Sequence, residues 1–247
     1  MTPEEYRRQQ DTILADLLQA VRGLLGVAPR RPTDEEWKAW IEALYPAVYR
    51  GRQESARLAG SFYSLQRRQQ TRRTDDPRVL PRRYPPQALQ SALDRTLRPK
   101  LASLADGQRL PAPVLGEAVA VIERHVAAAG RDAIADQARH DRQALGYARI
   151  ATGESTCAFC LMLVSRGPVY KDASSALLRD GTSEPYHDRC DCLAVPVFRE
   201  ESWPGRAEYL AAQQLWRDQG GTLKGLRAHL DQADEQAQQD QAAAAAA

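Results

Sequence analysis

No stretch of this sequence reaches the ~20 consecutive apolar residues that a membrane-spanning helix needs. The N-terminal MTPEEYRRQQ lacks the basic region and apolar core of a secretory signal. Both absences point to a chain made and kept in a cytoplasm, with no membrane partner. Aromatic side chains are scarce, at 6% of 247 residues, and lysine gives way to arginine, four against 30. Few aromatics and 15 prolines disfavour an extensive sheet and favour helices packed through alanine and leucine. No segment recurs at a period of 20 to 50 residues, which excludes a solenoid. Cysteine is rare too, and all four residues lie between Cys157 and Cys192. In a reducing compartment such a cluster holds metal more readily than it forms disulfides.

What the sequence does contain is mostly helical periodicity. Thr2-Pro3-Glu4-Glu5 has the hydroxyl, N1 proline and returning carboxylate of a helix start. Ile13, Leu14, Leu17, Leu18, Val21, Leu24 and Leu25 then make one apolar stripe that ends at Gly26 and Pro29. Thr33 to Glu36 repeats the capping pattern before Trp37, Trp40, Ile41, Leu44 and Tyr45, and Pro46 is expected to interrupt or kink that helix. A third helix is expected to reach about Gln70, and another to cover about 87–105. Val114 to Val126 keeps helical spacing and continues weakly to Leu145, one long or broken helix. Its His125 and His140 have no second ligand type at chelating spacing and receive no role.

Short strands are expected at Tyr147–Ala151, near Val169-Tyr170 and at Leu193–Phe198. Helix returns from about Gly205, pauses at Gly220-Gly221, and runs into an Ala/Gln-rich tail from Asp231 that is expected to fray or be disordered. The fold class is therefore α+β, predominantly α-helical. An N-terminal helical region covers 1–110, with an Arg/Pro-rich connection at about 71–86. Residues 111–200 carry a long helix and a small zinc-knuckle α+β unit with short strands, and 201–247 carry C-terminal helices and the tail.

Formal net charge is only +2, yet ten arginines between Arg50 and Arg83 face three acidic residues, a local excess of seven. Such a segment on a weakly acidic body attracts phosphate or an acidic protein surface. Arg67, Arg68, Arg72, Arg73, Arg82 and Arg83 are the candidates for non-specific DNA or partner contact. The competing reading is a coding bias that makes arginine common throughout the chain.

Cys157-Ala-Phe-Cys160 puts two thiolates on a tight turn, close enough to share one ion at the ~2.3 Å zinc–sulfur distance. After a 26-residue insert, His187-Asp-Arg-Cys190-Asp-Cys192 offers one imidazole and two more thiolates. A tetrahedral ion takes four ligands, and a Cys-x-Cys pair on a strand points to opposite faces. The set chosen is Cys157, Cys160, His187 and Cys190, with Cys192 either an alternate ligand or a small buried residue before the last strand. A closed protein ligand set leaves no open position for water, so the Zn2+ expected here is structural.

The block Gly153-Glu-Ser-Thr-Cys157-Ala-Phe-Cys160-Leu-Met-Leu, then Arg166-Gly167-Pro-Val-Tyr170, then Tyr186-His187-Asp-Arg-Cys190-Asp-Cys192-Leu-Ala-Val-Pro196-Val-Phe198 resembles the phage Mu F-like head morphogenesis proteins. It is similar in particular to the form found in phages of actinobacteria. The resemblance implies a minor capsid protein of few copies, associated with the portal inside the head during assembly, its partners the portal or major capsid protein. Many relatives carry Arg where this chain has Asp191. Some are fused to protease or toxin domains, and those activities are not carried over.

Enzymatic alternatives are weighed against this structural role. A zinc nucleobase deaminase needs a His-x-Glu, which none of the four histidines supplies. A capsid maturation protease would draw on Ser155, Ser165 or Ser183 near His187, but a histidine that holds zinc cannot serve as the base. A metal-dependent nuclease using Asp188 and Asp191 ranks lower, because a closed site offers nothing to a phosphate. No complete catalytic constellation is visible, and no catalytic residue is assigned.

Overall fold

A computed structural model describes residues 1–75, 81–105, 108, 110–152, 156–170 and 192–246. Ten elements follow in order: α1 (Pro3–Gly26), α2 (Asp34–Thr71), α3 (Pro86–Thr96), α4 (Arg98–Ala102), α5 (Ala112–His140), β1 (Gly146–Ile150), α6 (Ala158–Val164), β2 (Leu193–Val197), α7 (Arg206–Asp218) and α8 (Leu223–Ala246). The described residues are predominantly helical with one two-stranded sheet, as composition and periodicity predict.

Both expected capping boxes form. Thr2 and Thr33 accept the N3 amides at 3.2 Å, and Glu5 and Glu36 return bonds to the cap amides. The expectation of a break at Pro46 is corrected: α2 runs unbroken through it for 38 residues. Pro46 and Glu42, whose carbonyl loses its helical donor, lie on the exposed face, where water can serve the carbonyl. Leu44 and Val48 beside them stay fully buried, so packing holds the helix on both sides. The helix expected at 87–105 is instead two, α3 and α4, parted at Leu97 just before Arg98-Pro99. The tail expected to fray is helical to Ala246, with its described side chains from Asp231 exposed.

The long helices share two hydrophobic clusters. One gathers Leu17, Val21 and Leu25 of α1, Trp37 to Val48 of α2, residues of α3 and α4, and Ala118 to Val126 of α5. The other takes Tyr6 of α1, Ala59, Phe62 and Tyr63 of α2 and Ile134 to Ala138 of α5, and adds β1, α6, β2 and Leu226 of α8. α2 and α5 thus run in the same direction between the two clusters, and α1 runs against them. Tyr6 stacks on Phe62 with centroids 4.7 Å apart, and burial pushes its phenol up to about 12.

Between the clusters the helices meet through polar and small residues. Ser55 Oγ donates to Gln10 Oε1 at 2.7 Å inside the bundle. A β-carbon on Gly130 would lie 2.7 Å from Ser55 Oγ and 2.9 Å from the Tyr6 hydroxyl, and one on Gly51 would lie 3.2 Å from a Val126 methyl. These glycines set the spacing of α2 and α5.

β1 and β2 pair antiparallel with Tyr147 opposite Pro196. Tyr147 N–H turns away from β2 and donates to the Tyr170 carbonyl at 2.8 Å. This register makes Tyr147–Pro196 a non-hydrogen-bonded pair, which is why a proline fits within the ladder. The strand expected near Val169-Tyr170 appears as a single bridge, Tyr147 to Tyr170. The sheet is fastened to the end of α2 by Gln70, whose Oε1 accepts the Phe198 amide at 3.1 Å.

Two glycines in long helices should respond oppositely to alanine. Gly130→Ala is expected to destabilise the protein by roughly 1–3 kcal/mol through overpacking against Ser55 and Tyr6. Gly60→Ala, whose β-carbon meets nothing within 4 Å, is expected to stabilise it by about 0.5–1 kcal/mol through helix propensity. Urea unfolding of the two variants checks both signs.

Candidate metal centre and arginine surface

The described part of the cysteine cluster is assembled at the start of α6. Cys157 adopts an extended backbone conformation as N-cap, and its sulfur accepts the Cys160 amide at 3.4 Å. Cys157 is exposed, while Cys160 is turned inward and packs against Cys192, neither retaining any exposed surface. Cys192 stands one residue before β2, so strand pairing fixes its position.

A cation that sequence reasoning did not single out adjoins them. Arg149, the penultimate residue of β1, is wholly buried, and its Nη1 lies 3.7 Å from Cys192 Sγ with its guanidinium 5.7 Å from the Tyr170 ring centroid. Arg131 of α5 donates to the Cys192 carbonyl at 3.3 Å. Burying a guanidinium costs several kcal/mol unless negative charge accompanies it. Cysteine sulfurs beside a guanidinium that can donate to them are a donor set that fits zinc–thiolate chemistry. The available signal was an arginine within an otherwise apolar strand.

His187 and Cys190 lie outside the described residues, as do Ser155, Ser183, Asp188 and Asp191. Among the described residues no three His, Cys, Asp or Glu side chains form an ion-binding group. The structure brings Cys160 and Cys192 into contact and holds Cys157 beside them through the Cys160 amide. Ser165 is buried, and its hydroxyl donates to the Met162 carbonyl at 2.8 Å. Tyr170 closes the far side of α6 by donating to the Leu163 carbonyl at 2.7 Å, and burial raises its phenol well above the ordinary value.

The six arginines named for phosphate contact divide by environment. Arg67 is buried, and its Nε meets Asp141 Oδ2 at 2.6 Å, both side chains 4% exposed. That bond to Asp141 raises the Arg67 guanidinium above its usual value. Arg82 forks onto Asp136 at 2.6 and 2.7 Å and reaches Asp132 at 3.1 Å. Arg73 pairs with Asp75 at 3.1 Å, and Arg68 folds back towards the Ser64 carbonyl. Arg72, in the left-handed conformation that ends α2, and Arg83 are exposed and carry no ion pair among the described residues.

His125 and His140 bond internally, His125 Nδ1 to the Tyr84 hydroxyl at 2.9 Å and His140 Nδ1 to the Asp136 carbonyl at 2.7 Å. Among the described residues no helix is long and apolar enough to cross a membrane.

Comparison with known proteins places these features in context. Residues 2–219 match the VG15 protein family. The Gene 15 protein of Mycobacterium phage D29 is 36% identical over 217 residues, covering 75% of this chain and 75% of the relative. The Gene 15 protein of Mycobacterium phage L5 is 32% identical over 255 aligned positions, covering 87% of this chain and 84% of the relative. No solved structure matches the chain.

The Arg67–Asp141 pair gives a test of the charge arrangement. Asp141→Asn is expected to cost about 3 kcal/mol, because it leaves the buried Arg67 guanidinium only the exposed Asp75 carboxylate, 3.3 Å away, as counter-ion. Adding Arg67→Met should recover part of that loss. Urea denaturation of both variants at neutral pH measures the difference.

Proposed function

The chain belongs to the VG15 protein family, a family of phage proteins, and on that basis we propose that it is a minor capsid protein acting in head morphogenesis. In this reading it is a structural component associated with the portal inside the head of a tailed phage or prophage, present in few copies, and it meets the host cytoplasm only during assembly. One observation carries the proposal. The described parts of the segment that resembles the Mu F-like proteins, residues 147–152, 156–170 and 192–198, pack on the end of the helical bundle, with Cys160 and Cys192 in contact.

The proposed Zn2+ would be held by Cys157 and Cys160 together with ligands from 187–192, and it would cross-link the ends of the insert as a folding staple. The burial of Cys192 beside Arg149 supports counting it among the ligands. Arg149 would balance the negative charge of the thiolates, and the Cys160 amide would donate to the Cys157 sulfur. A non-catalytic role agrees with Ser165, whose hydroxyl is spent on a backbone carbonyl. The rival readings, a capsid maturation protease and below it a metal-dependent nuclease, would need groups outside the described residues.

Purified protein is expected to contain about one zinc per chain by elemental analysis, since structural sites bind their metal tightly. Replacing Cys157 and Cys160 together by Ser should abolish the metal and lower the melting temperature. Less than about half an equivalent, with unchanged melting in the variant, refutes the staple. For the head role, mass spectrometry of purified virions should find the chain at far lower copy number than the major capsid protein, cross-linked to the portal. Its absence from both proheads and virions would refute that role.

A further inference from the structure

A cavity of about 650 Å³ opens between α2, the segment following residue 80 and α5. Its lining is unusually rich in guanidinium groups: Arg52, Arg57, Arg82 and Arg83, against the carboxylates of Asp132 and Asp136. Their states differ. Arg82 covers both carboxylates through the fork already described, and its one positive charge offsets one of their two negative charges. Burial also raises the Asp132 carboxyl and opposes its ionisation.

Arg52 is the unusual member. It is only 8% exposed, lies flat over the Tyr84 ring at 3.8 Å, and donates from Nη1 to the His125 carbonyl. Among the described residues no carboxylate stands within ion-pair distance of it. A buried, permanently charged fork that lines a cavity with no carboxylate in direct contact, Asp132 acting on it only across the cavity wall, is arranged to receive an anion. Arg57 and Arg83, exposed at the rim and without ion pairs among the described residues, supply two further forks.

We propose that this cavity binds a phosphate ester, with Arg52 at its base and Arg57 and Arg83 at its mouth. Three guanidiniums match the three terminal oxygens and the charge of a phosphate better than the two oxygens of a carboxylate, for which one fork suffices, as Arg82 with Asp136 shows. The volume exceeds a bare phosphate and leaves space for an attached nucleoside, and the ring of Tyr49, 39% exposed on the lining, offers a stacking face. Its chemistry is independent of the head-protein reading and of the cysteine cluster, neither of which contributes a group to the cavity.

The test uses the full chain at low salt, with a fluorescein-labelled single-stranded oligonucleotide, a nucleoside monophosphate and inorganic phosphate as probes. Oligonucleotide binding should be competed by inorganic phosphate and should weaken steeply as salt rises. The double variant R57Q/R83Q should bind at least tenfold more weakly with an unchanged melting temperature. A control that removes the same charge elsewhere, R22Q/R227Q, should bind as the parent does. A monophosphate bound as tightly as the oligonucleotide identifies free nucleotide as the source of the phosphate; a much tighter oligonucleotide identifies a strand. Equal losses in the two double variants, or no binding of any probe at low salt, overturns the proposal.

Discussion

Where α2 approaches α5 at Gly51 and Gly130, the helices come together without an intervening β-carbon, and both hydrophobic clusters hang from that contact. Val126 fills the space beside Gly51, while the Ser55 and Tyr6 hydroxyls fill the space beside Gly130. Because α2 and α5 run in the same direction through both clusters, their separation at this level fixes it at both ends. At one end the result is a tryptophan- and leucine-lined bundle. At the other it is a platform on which the sheet and α6 can sit. A larger residue at either glycine would push on two cores at once, since close-packed interiors transmit displacement rather than absorb it.

An arginine-rich chain must then place many cations near an apolar frame. Arg67 and Arg82 solve this with internal carboxylates on or just beyond α5, and in doing so they tie the end of α2 and the segment following residue 80 to that helix. Arg52 uses an aromatic face and a carbonyl. Arg149 stands against a cysteine sulfur. The local charge excess read from composition is therefore partly an internal scaffold. What faces outward is a smaller set, including Arg57, Arg72 and Arg83.

Local signals in the sequence were strong wherever a short-range rule decides the outcome. The two capping boxes, the apolar stripe of α1 and the strand Leu193 to Val197 were legible because capping and periodicity are properties of neighbouring residues. Pro46 does not interrupt α2 because the penalty of a helix proline depends on whether the freed carbonyl is exposed, and exposure is a tertiary fact. The tail is an exposed helix because absence of an apolar stripe removes a reason to pack without removing the intrinsic helix preference of Ala, Gln and Glu. At the candidate site, the spacing of Cys157 and Cys160 was legible, whereas the contact between Cys160 and Cys192 arises only when strand register and helix placement are both known. Arg149 and the Arg52 cavity were invisible for the same reason. Each depends on which residues distant in the sequence come to lie beside them, Tyr84 and His125 for Arg52, Tyr170 and Cys192 for Arg149.

The pairing of β1 with β2 joins segments 43 residues apart at the register Ile150 to Leu193, whereas the bundle around Trp37 and Leu89 is complete in sequence by the end of α5. Chain closure over long separations is slow relative to helix docking, because the entropy of the intervening loop is lost before any contact compensates it. During synthesis from the N-terminus, the first core can consolidate while the residues of β2 are still being added. The nascent protein therefore passes through a stage in which Tyr6, Phe62 and Ile134 wait, partly uncovered, for the last strand to arrive. The same order makes the end-cap, not the bundle, the last part of the fold that a newly made chain can close.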